Sequence, residues 1–492
     1  MFFRIIYYYT TLQILKKTYN KKWHNNHFCC IVSLKTKNTE GVIIMPNLLY
    51  HKNSVIGRLY NYFFVYFQNL GSCTAENLFL FIIAIIAMEA APSVRFLYRH
   101  FISNITEKSL NAFYYLCSYA KIDYSNFMNI TASLALDLIT DFYKSEPVFL
   151  CIDDTMISKF GQKFENISKL FDHAAHSGSN YLNGHCFVSL MLCVPVSLKN
   201  KIHYCAVPLG YRMWKKDMSK LQLARSMVNK VMPTLSNVDQ VFLLFDSWYA
   251  KKDLTGVVSE YPNLDIICNV RCDSVIYDLP PEKTGKRGRP AKHGKKLSLI
   301  NDFMLSENKI GDYFIGYKEV LTNLFDNLPV TAYVTAVNKN SSVRRLFLST
   351  VDPCNIRIAC AWQEKAPLNQ TGKEYMPYVP LFLYSFRWNI EVCYYEQKTF
   401  WSLCAYMLRS SRAIELFVNL VNIVYCAMKI LPYTDDMFSQ YKNISVQETR
   451  LEISRKIQEQ VFIASFVNSL ETPLKSNPIV ELLKSKIFSN AS

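Results

Sequence analysis

The sequence has no uninterrupted apolar run long enough to cross a lipid bilayer. A membrane-spanning helix needs about 20 apolar residues. The run Leu78–Met88 stops at Glu89, well short of that length, and Ala413–Leu431 is interrupted by polar residues. Those polar residues are Glu415, Asn419, Asn422 and Lys429. We therefore predict that both segments are buried core helices and that the protein has no membrane partner.

The cysteines lack the spacing of a zinc site or of a disulfide framework. The chain has 15 cysteines, an odd number, scattered mostly through apolar runs. Cys268 and Cys272 form a single C-x3-C pair, and His173 and His176 have no second pair to complete a tetrahedral site. These absences argue against a structural zinc. They predict small buried thiols in a reducing compartment.

Acidic residues are in deficit, and the composition is not that of a disordered chain. Hydrophobic residues make up 50% and aromatic residues 14% of the sequence, which predicts a folded protein with a large core. Asp and Glu number 39 against 55 Lys and Arg, for a net charge of +16. Such a field concentrates polyanions at the surface, so nucleic acid is the leading candidate partner.

The N-terminal segment lacks the small-residue cleavage site that would mark a signal peptide. A more regular sequence begins after Met45. We expect translation to start at Met45, which would make the preceding residues a non-native extension.

The hydrophobic pattern changes twice along the chain. Helical periodicity precedes residue 145, short apolar or alternating runs follow it, and helical periodicity returns near residue 380. Three strands followed by alternating helix and strand are typical of a mixed sheet covered by helices. The predicted segments are the N-terminal extension (1–44), a helical domain that is a candidate for DNA binding (45–145), the first part of an α/β core (146–270), a basic linker with a β-rich insertion (271–379), a core helix (380–411) and C-terminal helices (412–492).

Two basic segments are candidate DNA contacts. The helical domain has a basic edge, and the linker Lys283–Lys296 carries basic residues and no acid. The linker sequence Arg287-Gly288-Arg289-Pro290 is that of an AT-hook, in which the two arginines enter a narrow A·T minor groove. Both segments are equally compatible with an ordinary solvated surface. The edge comprises Arg95, Arg99, His100, Lys108 and Lys121.

Carboxylates stand where two predicted strands end. Asp153 and Asp154 close the run VFLCIDDT, and Asp246 closes the run VFLLFD. If the two strands are neighbours, their acids converge at one edge of the sheet. With Glu391 from a nearby helix, three carboxylates would form an oxygen site suited to Mg²⁺ or Mn²⁺. Each aspartate taken alone is more typical of a turn or a helix cap than of a metal site.

The stretch YSFRWNIEVCYYEQK sets four polar residues among aromatics. On an α-helix, Tyr384, Arg387, Glu391 and Lys398 fall within a wedge of roughly 60°. One helix face would carry all four side chains. A solvated stripe on an amphipathic helix has the same appearance, and this alternative remains open at the level of sequence.

Together these residues resemble the DDE transposases of the IS4 type and their relatives, over Leu78–Leu431. The family signature Tyr-x2-Arg-x3-Glu-x6-Lys is matched without a gap from Tyr384 to Lys398. The stretches IDDT and LLFDSWY precede the signature, each at a predicted strand end, with a strand-rich insertion before the helix. The order of the motifs strengthens the resemblance.

The resemblance implies an α/β fold with an RNase H-like mixed sheet, and Asp154, Asp246 and Glu391 as ligands of two Mg²⁺ or Mn²⁺ ions. Asp154 is preferred to Asp153 because the family's first aspartate directly precedes threonine, here Thr155. The two neighbours point to opposite faces of a strand, and the sequence does not say which face is catalytic. Asp153 therefore stays as the alternative.

The resemblance also implies DNA-binding roles for the other signature residues. Tyr384, Arg387 and Lys398 would grip the phosphates next to the cleaved bond. Trp388 would stack on an unstacked base, although core packing is the more ordinary role of a tryptophan at such a position.

The function implied is that of a DNA transposase that binds its element's inverted ends, cleaves them by two-metal chemistry and joins them to target DNA. Two ends brought together imply at least a dimer during the reaction. The expected location is the cytoplasm, at the nucleoid, if the source is bacterial. Two alternatives remain: a transposase-derived DNA-binding protein without catalysis, and another RNase H-like nuclease.

Overall fold

The computed structural model describes residues 51–474, apart from residues 52, 162, 172–179, 200, 282–290, 327 and 357–372. Helices precede the first strand. Ser54, Ser93 and Asp123 cap three of them by accepting hydrogen bonds from backbone N–H groups of the first turn. These helices are α1 (Val55–Phe67), α2 (Ser72–Ala87), α3 (Val94–His100), α4 (Leu110–Tyr119) and α5 (Tyr124–Leu136).

The nine strands in the described part of the chain form one sheet. β1 pairs antiparallel with β3, β3 pairs antiparallel with β4, and β5 and β6 continue the sheet parallel to β1. The strands are β1 (Val148–Ser158), β2 (Ser168–Phe171), β3 (Tyr181–Leu198), β4 (Lys201–Met213), β5 (Val241–Phe245), β6 (Leu264–Val270), β7 (Phe314–Val320), β8 (Val330–Ala336) and β9 (Arg345–Ser349). The order β4-β3-β1-β5-β6 confirms the predicted RNase H-like mixed sheet with flanking helices.

The strands of the predicted insertion continue this same sheet. β9 pairs antiparallel with β6, and β8 and β7 follow it in antiparallel order. β2 and β7 were not predicted from the sequence. β2 is short and polar, and β7 contains Gly316, both of which weaken a strand pattern. At Gly316 a Cβ atom would lie 2.7 Å from the Met304 carbonyl oxygen, so close chain approach explains this glycine.

The remaining helices lie between and after the core strands in the chain. α6 (Lys220–Val231) and the short α7 (Lys252–Thr255) lie between core strands, and α8 (Val379–Tyr384), α9 (Trp388–Phe400), α10 (Ser411–Thr434) and α11 (Val446–Leu474) follow the sheet. The sequence predicted one helix from Ala250 to Glu260. The structure instead has α7 and then a 3₁₀ turn over Gly256–Ser259, because glycine and two adjacent valines disfavour an α-helix there.

Helix α10 is the apolar segment that the sequence assigned to the core. It is long and apolar enough to span a membrane by length and composition, yet 94% of its apolar window is buried inside the protein. Its polar residues follow one helix face at i, i+4, i+7 and i+14. That face lies along the outer edge of β4.

The polar residues of α10 form hydrogen bonds with backbone groups on that edge. Asn419 accepts from the Tyr211 N–H at 3.0 Å and donates to the Tyr211 carbonyl at 2.9 Å, as a neighbouring strand would. Asn422 donates to the Pro208 carbonyl and Lys429 to the Ala206 carbonyl, each at 2.8 Å. An exposed strand edge invites pairing with another chain. Helix α10 covers it, which explains the polar interruptions in an apolar sequence.

We expect Asn419→Ala to lower the free energy of unfolding by about 2–4 kcal/mol, because it leaves the buried N–H and C=O of Tyr211 unpaired. Urea denaturation followed by tryptophan fluorescence measures this change. Ser439→Ala is the control, since Ser439 is exposed and bonds only to the nearby Asp436 carbonyl. An equal loss in the two variants would contradict the role assigned to α10.

Candidate active site

The acids converge because β1 and β5 are parallel neighbours. Their register pairs Cys151 with Leu244. Asp153 and Asp246 come two residues after Cys151 and Leu244, so these two acids are aligned at the same end of the sheet. Residues aligned in this way point to the same face. The register therefore brings Asp153 to Asp246, and it turns Asp154 to the opposite face.

Arg387 joins Glu391 to Asp153, the residue that the sequence kept as the alternative to Asp154. Its Nη1 atom lies 3.0 Å from Asp153 Oδ2 and 3.6 Å from Glu391 Oε1. The side chains of Arg387 and Asp153 are only 14% and 13% exposed, whereas that of Glu391 is 40% exposed. The structure thus gathers Asp153 and Glu391 around one guanidinium, with Glu391 on the open side.

The electrostatics of this cluster favour an added positive charge. Burial raises the pKa of Asp153 well above its usual value, and the negative charges of Glu391 and Asp246 raise it further, while Arg387 opposes them. Burial also raises the pKa of Asp246, against the lowering effects of Arg387 and of backbone N–H donors, and the charge of Asp154 raises it further. Burial lowers the pKa of Arg387, but Tyr384 and the three acids outweigh it, and the net pKa is raised. A cation stabilises these carboxylates in their charged form.

Asp154 has different partners. Its Oδ2 atom accepts from Lys220 Nζ at 2.8 Å and from the Cys186 thiol at 3.1 Å, and its Oδ1 atom accepts from the Tyr249 hydroxyl at 3.0 Å. Lys220 stands near the start of α6, on the face of the sheet opposite Arg387. The geometry therefore favours Asp153, the alternative that the sequence left open, as the partner of Asp246 and Glu391.

Sequence reasoning missed Lys220, Tyr249 and the exposed Trp248. The Lys220 ammonium lies 4.6 Å from the centre of the Trp248 ring as well as against Asp154. Of these residues, only Tyr249 could have been found from the sequence. It follows Asp246 by three residues, a spacing that places its side chain near the end of β5. Lys220 belongs to a separate helix, and nothing in its local sequence pointed to this contact.

The helix with the signature residues differs from the one predicted. A 3₁₀ turn over Ser385–Arg387 separates α8 from α9, so the stretch is helical throughout but is not one α-helix. Tyr384 nevertheless donates to the Phe245 carbonyl at 3.3 Å and Lys398 to the Met156 carbonyl at 3.2 Å. The signature face packs against the sheet. The alternative of a solvated stripe is wrong.

The other predicted DNA-binding residues differ in how far the structure describes them. Trp388 is 64% exposed beside the carboxylates, so the core-packing interpretation of this tryptophan is wrong. Tyr384 bonds to backbone, and burial raises its pKa. Arg287 and Arg289 lie outside the described residues.

The site offers the right donor chemistry for a divalent cation but does not present a closed ligand set. Within the described ranges, no three His, Cys, Asp or Glu side chains lie together closely enough to hold a metal ion. Carboxylate oxygens are the ligands that Mg²⁺ and Mn²⁺ prefer. Arg387 occupies the middle of the cluster, so metal binding requires its guanidinium to move.

The geometry agrees with an independent comparison of sequences. Residues 66–303 match the family model of the DDE superfamily endonucleases. The matched part is just under half of the chain and holds Asp153 and Asp246, whereas the helix with Glu391 lies beyond it. No curated protein matches the chain. The match supports the assignment of a nuclease activity of the DDE type. Members of this superfamily generally use divalent metal ions and act on DNA.

Proposed function

We propose that this protein is a DNA transposase that binds transposon ends and catalyses DNA cleavage and strand transfer with Asp153, Asp246 and Glu391. The observation that carries the proposal is that Arg387 pairs with both Asp153 and Glu391 at one end of an RNase H-like sheet, where Asp246 is aligned with Asp153 and raises its pKa. The match to DDE endonucleases supports the nuclease part. The unbroken Tyr-Arg-Glu-Lys signature supports the transposase part.

The acids would hold two Mg²⁺ or Mn²⁺ ions. When bound, such ions polarise a phosphoryl oxygen and lower the pKa of a bound water or hydroxyl. The raised pKa of Asp153 supports this assignment, because neighbouring negative charge that destabilises a lone carboxylate is what a divalent cation compensates.

Arg387 and Trp388 serve the DNA in this proposal. The Arg387 guanidinium lies beside the acids and would form a forked hydrogen-bond pair with a phosphate there if it left Asp153. The adjacent Trp388 ring presents an exposed face for stacking on a base. The charge balance of +16 favours the DNA complex, and joining two ends requires at least a dimer.

A nicking assay tests the proposal. The substrate is a supercoiled plasmid with the DNA that flanks this coding sequence, incubated with protein and Mg²⁺ or Mn²⁺. We expect nicked and joined products from the native protein and from Asp253→Ala, an exposed acid on α7, and none from Asp246→Ala. Cleavage by no protein would favour a DNA-binding relative without catalysis. Nicking without joining would favour another RNase H-like nuclease, and cleavage by Asp246→Ala would remove Asp246 from the mechanism.

A further inference from the structure

A cleft of about 510 Å³ opens beside the catalytic end of the sheet, between the α4–α5 connection and the start of α10. Three cationic side chains line it: Lys121, Lys215 and Arg412. The cleft shares no residue with the carboxylate cluster. Its other lining residues include Glu165 and Glu415, so the charge in the cleft depends on what these two acids bind.

Both acids of the cleft already have partners. Glu415 accepts from Arg212 Nε at 2.9 Å and from the Met213 N–H at 3.1 Å. Glu165 accepts from the N–H and the hydroxyl of Ser411 at 2.8 and 3.1 Å, which satisfies the first turn of α10.

The three cations of the cleft have no such compensation. Across the described residues, Lys121, Lys215 and Arg412 form no ion pair within 4.0 Å, and Arg412 donates only to the neutral Ser118 carbonyl. Among the described lining residues, three cations without an ion pair outnumber Glu165, the one carboxylate without an ion pair, so the opening is net positive and suits an anion. A ligand of this cleft therefore needs no apolar group.

The sheet register relates the cleft to the catalytic acids. Asp153 is paired with Ser189 on β3, and Ser189 with Tyr211 on β4, the residue directly before Arg212, which binds Glu415. Two strand spacings are roughly 10 Å, or about three nucleotide steps at 3.4 Å along one DNA strand. Lys215 follows β4 at this same end of the sheet. A DNA strand bound at the acids would therefore come to the β4 side of the cleft within a few nucleotides.

Exposed aromatic side chains continue the surface away from the cleft. Tyr115 and Tyr119 on α4 are 67% and 62% exposed, and their ring centres are 4.7 Å apart. Tyr119 directly precedes Ala120, which lines the cleft. Cations next to exposed tyrosines are the usual composition of a surface that follows a nucleic-acid backbone.

We infer that Lys121, Lys215 and Arg412 bind backbone phosphates of the DNA whose scissile bond lies at Asp153, Asp246 and Glu391. This inference rests on the proposed function for its substrate. It extends the DNA contact from the signature helix to a second surface, made by the helical domain, the end of β4 and α10. The contacts are to phosphate, so they position the DNA without reading its sequence.

The test is the salt dependence of DNA binding, measured by fluorescence anisotropy with a random-sequence duplex and no divalent metal. Each lost phosphate contact lowers the slope of log affinity against log salt by about 0.9. We expect Lys121→Gln/Lys215→Gln/Arg412→Gln to lower the slope by about 2–3. The matched control is Lys144→Gln/Lys201→Gln/Lys230→Gln, which removes the same charge from exposed positions elsewhere. The control should change the slope by less than about 1.

The outcomes separate this inference from the proposed function. A lowered slope supports the cleft even if the native protein never cleaves DNA, because the measurement needs no catalysis. A slope equal to that of the control overturns the inference even if the protein is an active transposase. The same result is expected if the cleft binds only free phosphate and not DNA. Lys121→Gln/Lys215→Gln, which keeps the Arg412 bond to Ser118, should lower the slope by about 1.8 and guards against a folding defect.

Discussion

Asp153→Asn should lower the rate of metal-dependent DNA nicking by roughly 10³-fold, while Asp154→Asn should stay within about tenfold of the native rate. The two neighbours give a matched pair, since the substitution, the strand and the local sequence are the same. Asp153 faces Arg387 and aligns with Asp246, whereas Asp154 is held by Lys220 and Tyr249. Removing a metal-binding carboxylate costs several kcal/mol of transition-state stabilisation.

The same pair of variants should have the opposite order in stability. Asp154→Asn weakens a half-buried ion pair with Lys220 and should lower the free energy of unfolding by about 1–3 kcal/mol. Asp153→Asn removes a carboxylate whose charge is disfavoured by burial and by two other acids, so it should be neutral or stabilising. Urea denaturation of both variants checks the predicted order of stability, and single-turnover nicking checks the predicted order of activity. An inactive Asp154→Asn with an active Asp153→Asn would restore Asp154 to the site.

Arg450→Ala should lower the free energy of unfolding by about 3–5 kcal/mol. Arg450 is 1% exposed, and its guanidinium lies 4.6 Å from the centre of the Trp401 ring. It donates to the carbonyls of Phe400 at 2.6 Å and Ile85 at 2.8 Å, and also to that of Met88. Burial lowers its pKa to about 10, against the opposing charge of Glu89. Truncation would leave three carbonyls without this partner, that of Ile85 fully buried, and a cavity beside Trp401.

The loss should also reach the active site. Phe400 is the last residue of α9, the helix of Glu391, and Ile85 lies in α2, so Arg450 on α11 ties these helices together. Arg455→Ala is the control on the same helix, because Arg455 is exposed and pairs only with Glu452. Denaturant unfolding of the two variants measures the difference. Equal stability of Arg450→Ala and the native protein would show that the carbonyls find other partners.

The strands of the core were predictable because their signal is local. The run Val241–Phe245 is apolar and Leu264–Val270 is mostly apolar, both are bounded by polar residues, and the structure begins and ends both strands there. The strand-end positions of Asp153 and Asp246 follow from the same pattern. The pattern does not predict which strands pair with each other. For this reason the sequence predicts the insertion strands as a separate region, whereas the structure adds them to the same sheet.

Helix α10 shows the same limit at the level of single residues. Its polar positions looked like interruptions of a core helix, and only the packing of α10 against β4 explains them as partners of an open strand edge. Trp388 is the converse case. Its sequence context is rich in aromatics, yet the turn of the helix leaves its ring in solvent.

The amino-acid sequence by itself determined the segments of the core, the order of its acidic motifs and the spacing of the Tyr-Arg-Glu-Lys residues, because each depends on neighbours along the chain. The tertiary structure alone decided which of two adjacent aspartates meets Glu391 and Arg387. That choice depends on which face of β1 the helix α9 covers. A strand offers both faces equally, so the choice is made by contacts between residues more than two hundred positions apart.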